Sequence, residues 1–162
     1  MEKSINKYDA PEKLYCFENE YCTPALTKDD KAKIKALTDD YCSELWDKYV
    51  SKNKRHLMLI NHPEELKIKN EIKKEYNWQN DWNESNIDAF NKNVKNLIDW
   101  DEDDSVLFFW NKFSGIETTW RLICKYWISF LYEDEANIVI NPKSKKVIIL
   151  STNGNLSLAD RL

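Results

Sequence analysis

Glycine is almost missing from this chain: Gly115 and Gly154 are the only two in 162 residues. A Rossmann fingerprint and a P-loop each need several glycines so that backbone can approach phosphate closely. Neither motif can be assembled here, which removes nucleotide binding through a glycine-rich loop. Histidine is equally scarce, with only His56 and His62. The four cysteines, Cys16, Cys22, Cys42 and Cys124, include no CxxC pair and lie apart from both histidines. A structural zinc site needs paired ligands at short spacing. No metal and no cofactor is therefore expected, and the cysteines read as reduced, buried thiols. Long apolar runs are also lacking. The longest apolar pattern, IETTWRLICKYWISFLY, is broken by Glu117, Arg121 and Lys125, whereas a membrane span needs about 20 apolar residues. The N-terminal MEKSINKYDAPEK has no signal-peptide core. These absences predict a cytoplasmic protein with no membrane partner.

What is present describes a folded chain. Hydrophobic residues make up 42% and charged residues 32%, with seven tryptophans and a net charge of −4. A chain of this length buries roughly 70% of its unfolded surface, enough for a core without staples. The expected layout is a flexible segment over 1–13 and one domain over 14–162.

Periodicity gives the elements. LYCF, 14–17, reads as a short edge strand. LTKDDKAKIKALTDDYCSELWDKYVSK reads as two tandem helices, with Thr27 and Thr38 at their starts and Asp29, Asp30, Asp39 and Asp40 in first turns, where the dipole favours negative charge. Pro63 opens a further helical pattern carrying Leu66, Ile68, Ile72 and Tyr76. Ser85 and Asp88 form a capping-box pattern before the stripe of Ile87, Phe90, Val94, Leu97 and Ile98. SVLFFW is rich in strand formers without strict alternation, so it should be a central strand covered on both faces. Ile116, Trp120, Ile123, Cys124, Trp127 and Leu131 then recur at helical spacing. NIVI and KKVIIL read as a hairpin, and Asn153-Gly154 as a turn into a last strand. The fold class is α+β, one antiparallel sheet of three to five strands with helices packed on it.

Ser114 precedes a glycine at an expected strand-to-helix turn, where hydrolases place nucleophiles. A nucleophile elbow wants G-x-S-x-G, and here Lys112, Phe113 and Gly115 surround the serine. Ser114 with Glu117 instead matches S-x-x-E, the capping box of a helix start. No catalytic residue is assigned. Glu117 and Arg121 stand four apart on that expected helix, in the favourable order for an ion pair, and make up one polar site for an enzyme reading.

Charge is uneven. D-W-D-E-D-D, 99–104, holds five acids. Asp99, Asp101 and Asp103 match the first three ligand positions of a calcium loop, but Asp104 replaces the required glycine and Trp110 the final glutamate. The acids argue against a nucleic-acid surface there, and Lys143, Lys145 and Lys146 on a hairpin turn read as guards of a strand edge. No nucleic-acid partner is expected. Trp78 and Trp82 in NWQNDWN, and Trp100 in the acidic loop, lie in polar surroundings; they are either docked on the core or exposed at an interface. Asp101, Glu102, Asp103 and Asp104 are expected to come together with Glu133, Asp134 and Glu135 at the helix end. With the three tryptophans they would form an acidic, aromatic face for a basic protein partner.

LTKDDKAKIKALTDDYCSELWDKYVS, WDEDDSVLFFW and IETTWRLICKYWISFLYEDE resemble a family of short uncharacterised bacterial proteins, a domain of unknown function. The resemblance runs from Leu26 to Arg161 through LT…LT…LW, IETTW, WxxFL, a hairpin and a terminal Gly…Arg. It implies a small cytoplasmic α+β protein and supplies no activity, cofactor or catalytic residue. Two functions are carried forward. One is a non-enzymatic interaction module, with a toxin as partner if it is of immunity type. The other is a small hydrolase-like enzyme using carboxylates, or Glu117 and Arg121, in a Trp-lined pocket.

Overall fold

The computed structural model describes residues 6–10, 14, 24–52, 74–94, 97–131, 136–150 and 154–161. The elements run β1 (Tyr8–Asp9), α1 (Lys28–Ala32), β2 (Lys35–Leu37), α2 (Asp39–Tyr49), β3 (Lys74–Asn77), α3 (Gln79–Asn83), α4 (Ile87–Val94), β4 (Ser105–Asn111), β5 (Ser114–Thr119), α5 (Trp120–Phe130), β6 (Asn137–Ile140), β7 (Lys146–Leu150) and β8 (Asn155–Asp160). The strands form one sheet in the order β1-β2-β5-β4-β6-β7-β8-β3. Every pairing is antiparallel. The fold is α+β as expected, but the sheet has eight strands rather than three to five.

β4 shows how the sheet organises the core. Side chains alternate across a strand, so Val106, Phe108 and Trp110 enter one apolar cluster and Leu107 and Phe109 the other. The first cluster is covered by α4 and α5 through Phe90, Val94, Ile123, Trp127 and Phe130. The second is covered by α2 through Cys42, Leu45, Trp46 and Val50. A strand buried on both faces needs no polar alternation, which is why SVLFFW shows none.

The four additional strands replace expected helix or loop. β2 lies between the two predicted helices, whose caps are where expected: Thr27 Oγ1 accepts the Asp30 N–H at 3.1 Å and Thr38 Oγ1 that of Tyr41 at 3.3 Å. Ala36 and Leu37 are buried while Lys35 is exposed, a strand pattern too short to read against helical neighbours. β3, KEYN, takes Tyr76 out of the predicted helix and pairs with β8. β1 brings Tyr8 and Asp9 into the sheet beside β2. Leu14 is a bend; the rest of LYCF, the pattern after Pro63, both histidines, Cys16 and Cys22 lie outside the described residues.

β5 overturns the reading of Ser114. Ser114 and Glu117 belong to a strand that returns along β4 through a tight turn at Lys112 and Phe113, where Asn111 Oδ1 accepts the Phe113 N–H at 2.8 Å. The helix starts only at Trp120. Its cap is Thr119, whose Oγ1 accepts the Leu122 N–H at 3.4 Å. The capping-box pattern at Ser85 fails too, because Ser85 sits at φ 53, a left-handed backbone unlike the extended one of an N-cap. Trp120 and Trp127, on the apolar stripe read from the sequence, are buried in the cluster between α5 and the sheet.

The tryptophans close the C-terminal end of α5. A helix leaves its last carbonyls without intrahelical donors. Trp82 Nε1 donates to the Ile128 carbonyl at 2.9 Å and Trp110 Nε1 to that of Phe130 at 2.7 Å. Indole suits this position because it buries a large apolar body and still delivers one N–H.

Candidate functional site

The acidic loop folds by its own side chains. Asp101 Oδ1 accepts the Asp103 N–H at 3.0 Å, and the Asp101 carbonyl accepts the Asp104 N–H at 3.0 Å. The turn aims two further carbonyls at the start of α5: that of Asp104 takes the Trp120 N–H and that of Glu102 the Arg121 N–H, both at 2.9 Å. With Thr119 they satisfy three of the four orphan donors of this helix end. The loop's carboxylates lie where the dipole favours them.

Most of these carboxylates are also matched. Arg121 Nη2 sits 3.0 Å from Asp103 and 3.5 Å from Glu102. Asp104 accepts from Asn141 Nδ2 at 3.0 Å and faces Lys143 at 3.7 Å. Lys146 donates to Asp99 at 3.3 Å and holds that carboxyl below its usual range. Among the described residues five acids thus meet three cations, a negative surplus for the loop.

The expected joining of two acidic clusters rested on the helix returning directly after β4. With β5 between them, α5 begins at the loop and runs away from it. β6 then starts at the opposite end of β4, with Ile138 opposite Phe109. Glu133, Asp134 and Glu135 themselves lie outside the described residues. Nor do the three tryptophans form an exposed aromatic face. Trp78 and Trp100 are buried, and Trp82 is half-buried and bonded to Ile128.

A Trp-lined pocket does form. Between α4, the acidic loop and α5 lies a cleft of about 190 Å³. Trp100 and Trp120 line it, their rings nearly perpendicular with centroids 5.0 Å apart. Glu102, Arg121 and Lys125 stand around them, and α4 contributes Asp88 and Asn91. Arg121 is thus in the pocket, but Glu117 is not. Glu117 projects from β5 toward the α2 face, where its carboxylate accepts the Tyr8 hydroxyl at 2.6 Å. Burial first, then that hydrogen bond to Glu117, pushes the Tyr8 hydroxyl well above its ordinary pKa. The pairing of Glu117 with Arg121 needed a helix at 117 and is not formed.

The polar groups of the cleft are unevenly satisfied. Lys125 Nζ bonds Asp30 at 2.6 Å, as does the Tyr126 hydroxyl, so both cations of the cleft have carboxylate partners. Burial alone would raise the Asp30 carboxyl, but its hydrogen bonds to Lys125, Tyr126 and Thr27 together with the charge of Lys125 outweigh it and bring the pKa below its usual value. Asp88 has no hydrogen bond or ion pair among the described residues. Asn91 Oδ1 and Trp100 Nε1 are buried without partners among them. The sequence pointed to Trp100, Glu102 and Arg121 but not to Asp88 and Asn91 as site residues. Their only signal is a polar i,i+3 pair beside the apolar stripe of α4, which most surface helices also carry.

Among the described residues, no group of three or more His, Cys, Asp or Glu is placed to hold a metal ion, and no helix is long and apolar enough to cross a membrane. Comparison with curated proteins and with solved structures gives no match. Residues 7–159 match a family described as "Protein of unknown function", DUF2947, and the chain belongs to that family.

Proposed function

We propose that the chain is a non-enzymatic recognition module that receives a basic partner protein on the face formed by loop 99–104 and the first turn of α4. The observation that carries this reading is the charge imbalance there. Arg121, Lys125, Lys143 and Lys146 are each engaged by a carboxylate, while among the described residues Asp88 is unmatched and the loop holds more acids than the cations that face it. A surplus of one sign beside an aromatic-lined cleft steers an oppositely charged partner and speeds encounter. A basic toxin is one such partner. The enzyme alternative loses its named pair, since Glu117 and Arg121 serve different sites.

The test compares the native protein with the triple variant Asp101→Asn, Glu102→Gln, Asp103→Asn. The variant keeps the loop's carbonyls, and the amide oxygen introduced at position 101 can still accept the 103 N–H, so the turn is retained. Partners captured from extract of the source cell are identified, and their association rates measured at two salt concentrations. A basic protein bound by the native chain, lost by the variant and slowed by salt is the expected result. Equal capture by both proteins, or an on-rate indifferent to salt, refutes the proposal.

A further inference from the structure

We infer that the cleft between α4 and α5 is a socket for one arginine side chain of the partner, held together with its own main-chain carbonyl. The inference rests on the recognition reading above and narrows it to a chemical group.

The cleft selects a cation. Its two positive side chains are already paired, Arg121 with Asp103 and Glu102 and Lys125 with Asp30. The groups unpaired among the described residues include one carboxylate, Asp88, and one acceptor, Asn91 Oδ1. Three residues apart on α4, where side chains share a helix face, both line the cleft. Two acceptors on one face suit a planar guanidinium, whose donors spread over a fork, better than a compact ammonium. The nearly perpendicular indoles of Trp100 and Trp120 offer ring surface for the same group.

The third unpaired group decides between a free cation and a residue in a chain. Trp100 is 9% exposed, and its Nε1–H has no acceptor among the described residues. A guanidinium carries donors only and cannot satisfy it. A peptide carbonyl next to the inserted side chain can. A volume of about 190 Å³ also lies below the range of roughly 300–1,000 Å³ typical of small-molecule pockets, and suits a single side chain.

The experiment follows the indole N–H signals of ¹⁵N-labelled protein, with that of Trp100 assigned from Trp100→Phe. The probe is N-acetyl-L-arginine N-methylamide, set against the citrulline amide, which is neutral and nearly isosteric, and agmatine, which has the guanidinium but no carbonyl. A saturable shift of the Trp100 signal with the arginine amide is expected. The citrulline amide should leave it unmoved, and agmatine should bind several-fold more weakly. Asp88→Asn should weaken the arginine amide about tenfold, the scale of one charge-assisted hydrogen bond. Asn91→Asp should tighten it several-fold, a gain that misfolding cannot imitate. Equal binding of the citrulline amide, a Trp100 signal unmoved at the highest soluble probe concentration, or agmatine binding as tightly as the amide would each overturn the socket. If the socket fails while the loop variant still loses a basic partner, the recognition reading survives alone. If the loop variant keeps every partner while the probe binds as described, the socket stands and the partner reading falls.

Discussion

Gly115→Ala separates the two readings of residues 114–119 by the sign of its effect. Were Ser114 a helix cap, Gly115 would be the first helical residue, and alanine there would stabilise by roughly 0.5–1 kcal/mol. In the observed strand the position is enclosed. An added Cβ would stand 3.0 Å from the Phe108 carbonyl oxygen, 3.0 Å from Phe109 Cδ1 and 3.1 Å from Cys42 Sγ. The phenyl ring and the thiol can shift by a few tenths of an ångström. The carbonyl belongs to the neighbouring strand, at the centre of the sheet, and cannot. Overpacking of this kind costs about 1–3 kcal/mol, and each kcal/mol moves Tm by about 2–4 °C for a chain of this size. Urea unfolding followed by tryptophan fluorescence and far-ultraviolet dichroism measures the change, with an unaltered m-value confirming that only stability moved. Cys42→Ala in the same chain removes one of the three clashes. The double variant should therefore be less destabilised than the sum of the singles, by about 0.5 kcal/mol or more. A midpoint that rises or stays put in Gly115→Ala would refute the strand assignment and the packing argument together.

Thr119→Ala should cost about 1 kcal/mol of stability, as loss of a cap does, while Ser114→Ala should stay within about 0.5 kcal/mol; thermal unfolding of the two side by side checks the order. Asp30, whose pKa is depressed in the fold by its bonds to Lys125 and Tyr126, contributes stability that is present above its unfolded value near 3.8 and is lost as pH falls through the lower folded value. Asp30→Asn should accordingly flatten the acid limb of the stability curve below about pH 4, and an unchanged limb would mean that the α1–α5 link is not formed in solution.

The long and the strongly patterned elements were legible. α2, β4, β6, β7 and β8 follow from apolar spacing and from the Asn-Gly turn, because each buries enough surface for its pattern to show. β2 is three residues long and β1 two, too short for any period to establish itself. β5 was lost to ambiguity. Ile116, Trp120, Ile123 and Trp127 fit a single helical stripe although the first belongs to the strand, since Ile116 and Trp120 end up on the same face of the sheet. S-x-x-E is equally a capping box and two residues on opposite faces of a strand. What decides is the pairing with β4, which two residues at Lys112 and Phe113 make possible.

The candidate site was less legible, for a different reason. The acidic loop stands out in the sequence as the feature to explain, yet the fold uses much of that loop on itself: its carbonyls close α5 and its carboxylates hold Arg121, Lys143 and Lys146. Charge density alone therefore does not point to the proposed socket. The groups unpaired among the described residues do. Asp88, Asn91 and Trp100 carry no signal in a sequence, since a helix-start aspartate, a mid-helix asparagine and a loop tryptophan each have ordinary structural uses. Only the folded chain shows that, among the described residues, none of the three finds a polar partner and that all three border one cleft. Leaving a buried donor or acceptor unmatched costs about 1–3 kcal/mol. In the proposed socket, one arginine and its carbonyl would compensate two such groups and Asp88, the carboxylate unpaired among the described residues, at once. The free energy withheld in the isolated chain would then be recovered on binding, which is how a small polar cleft can gain affinity without a large apolar face.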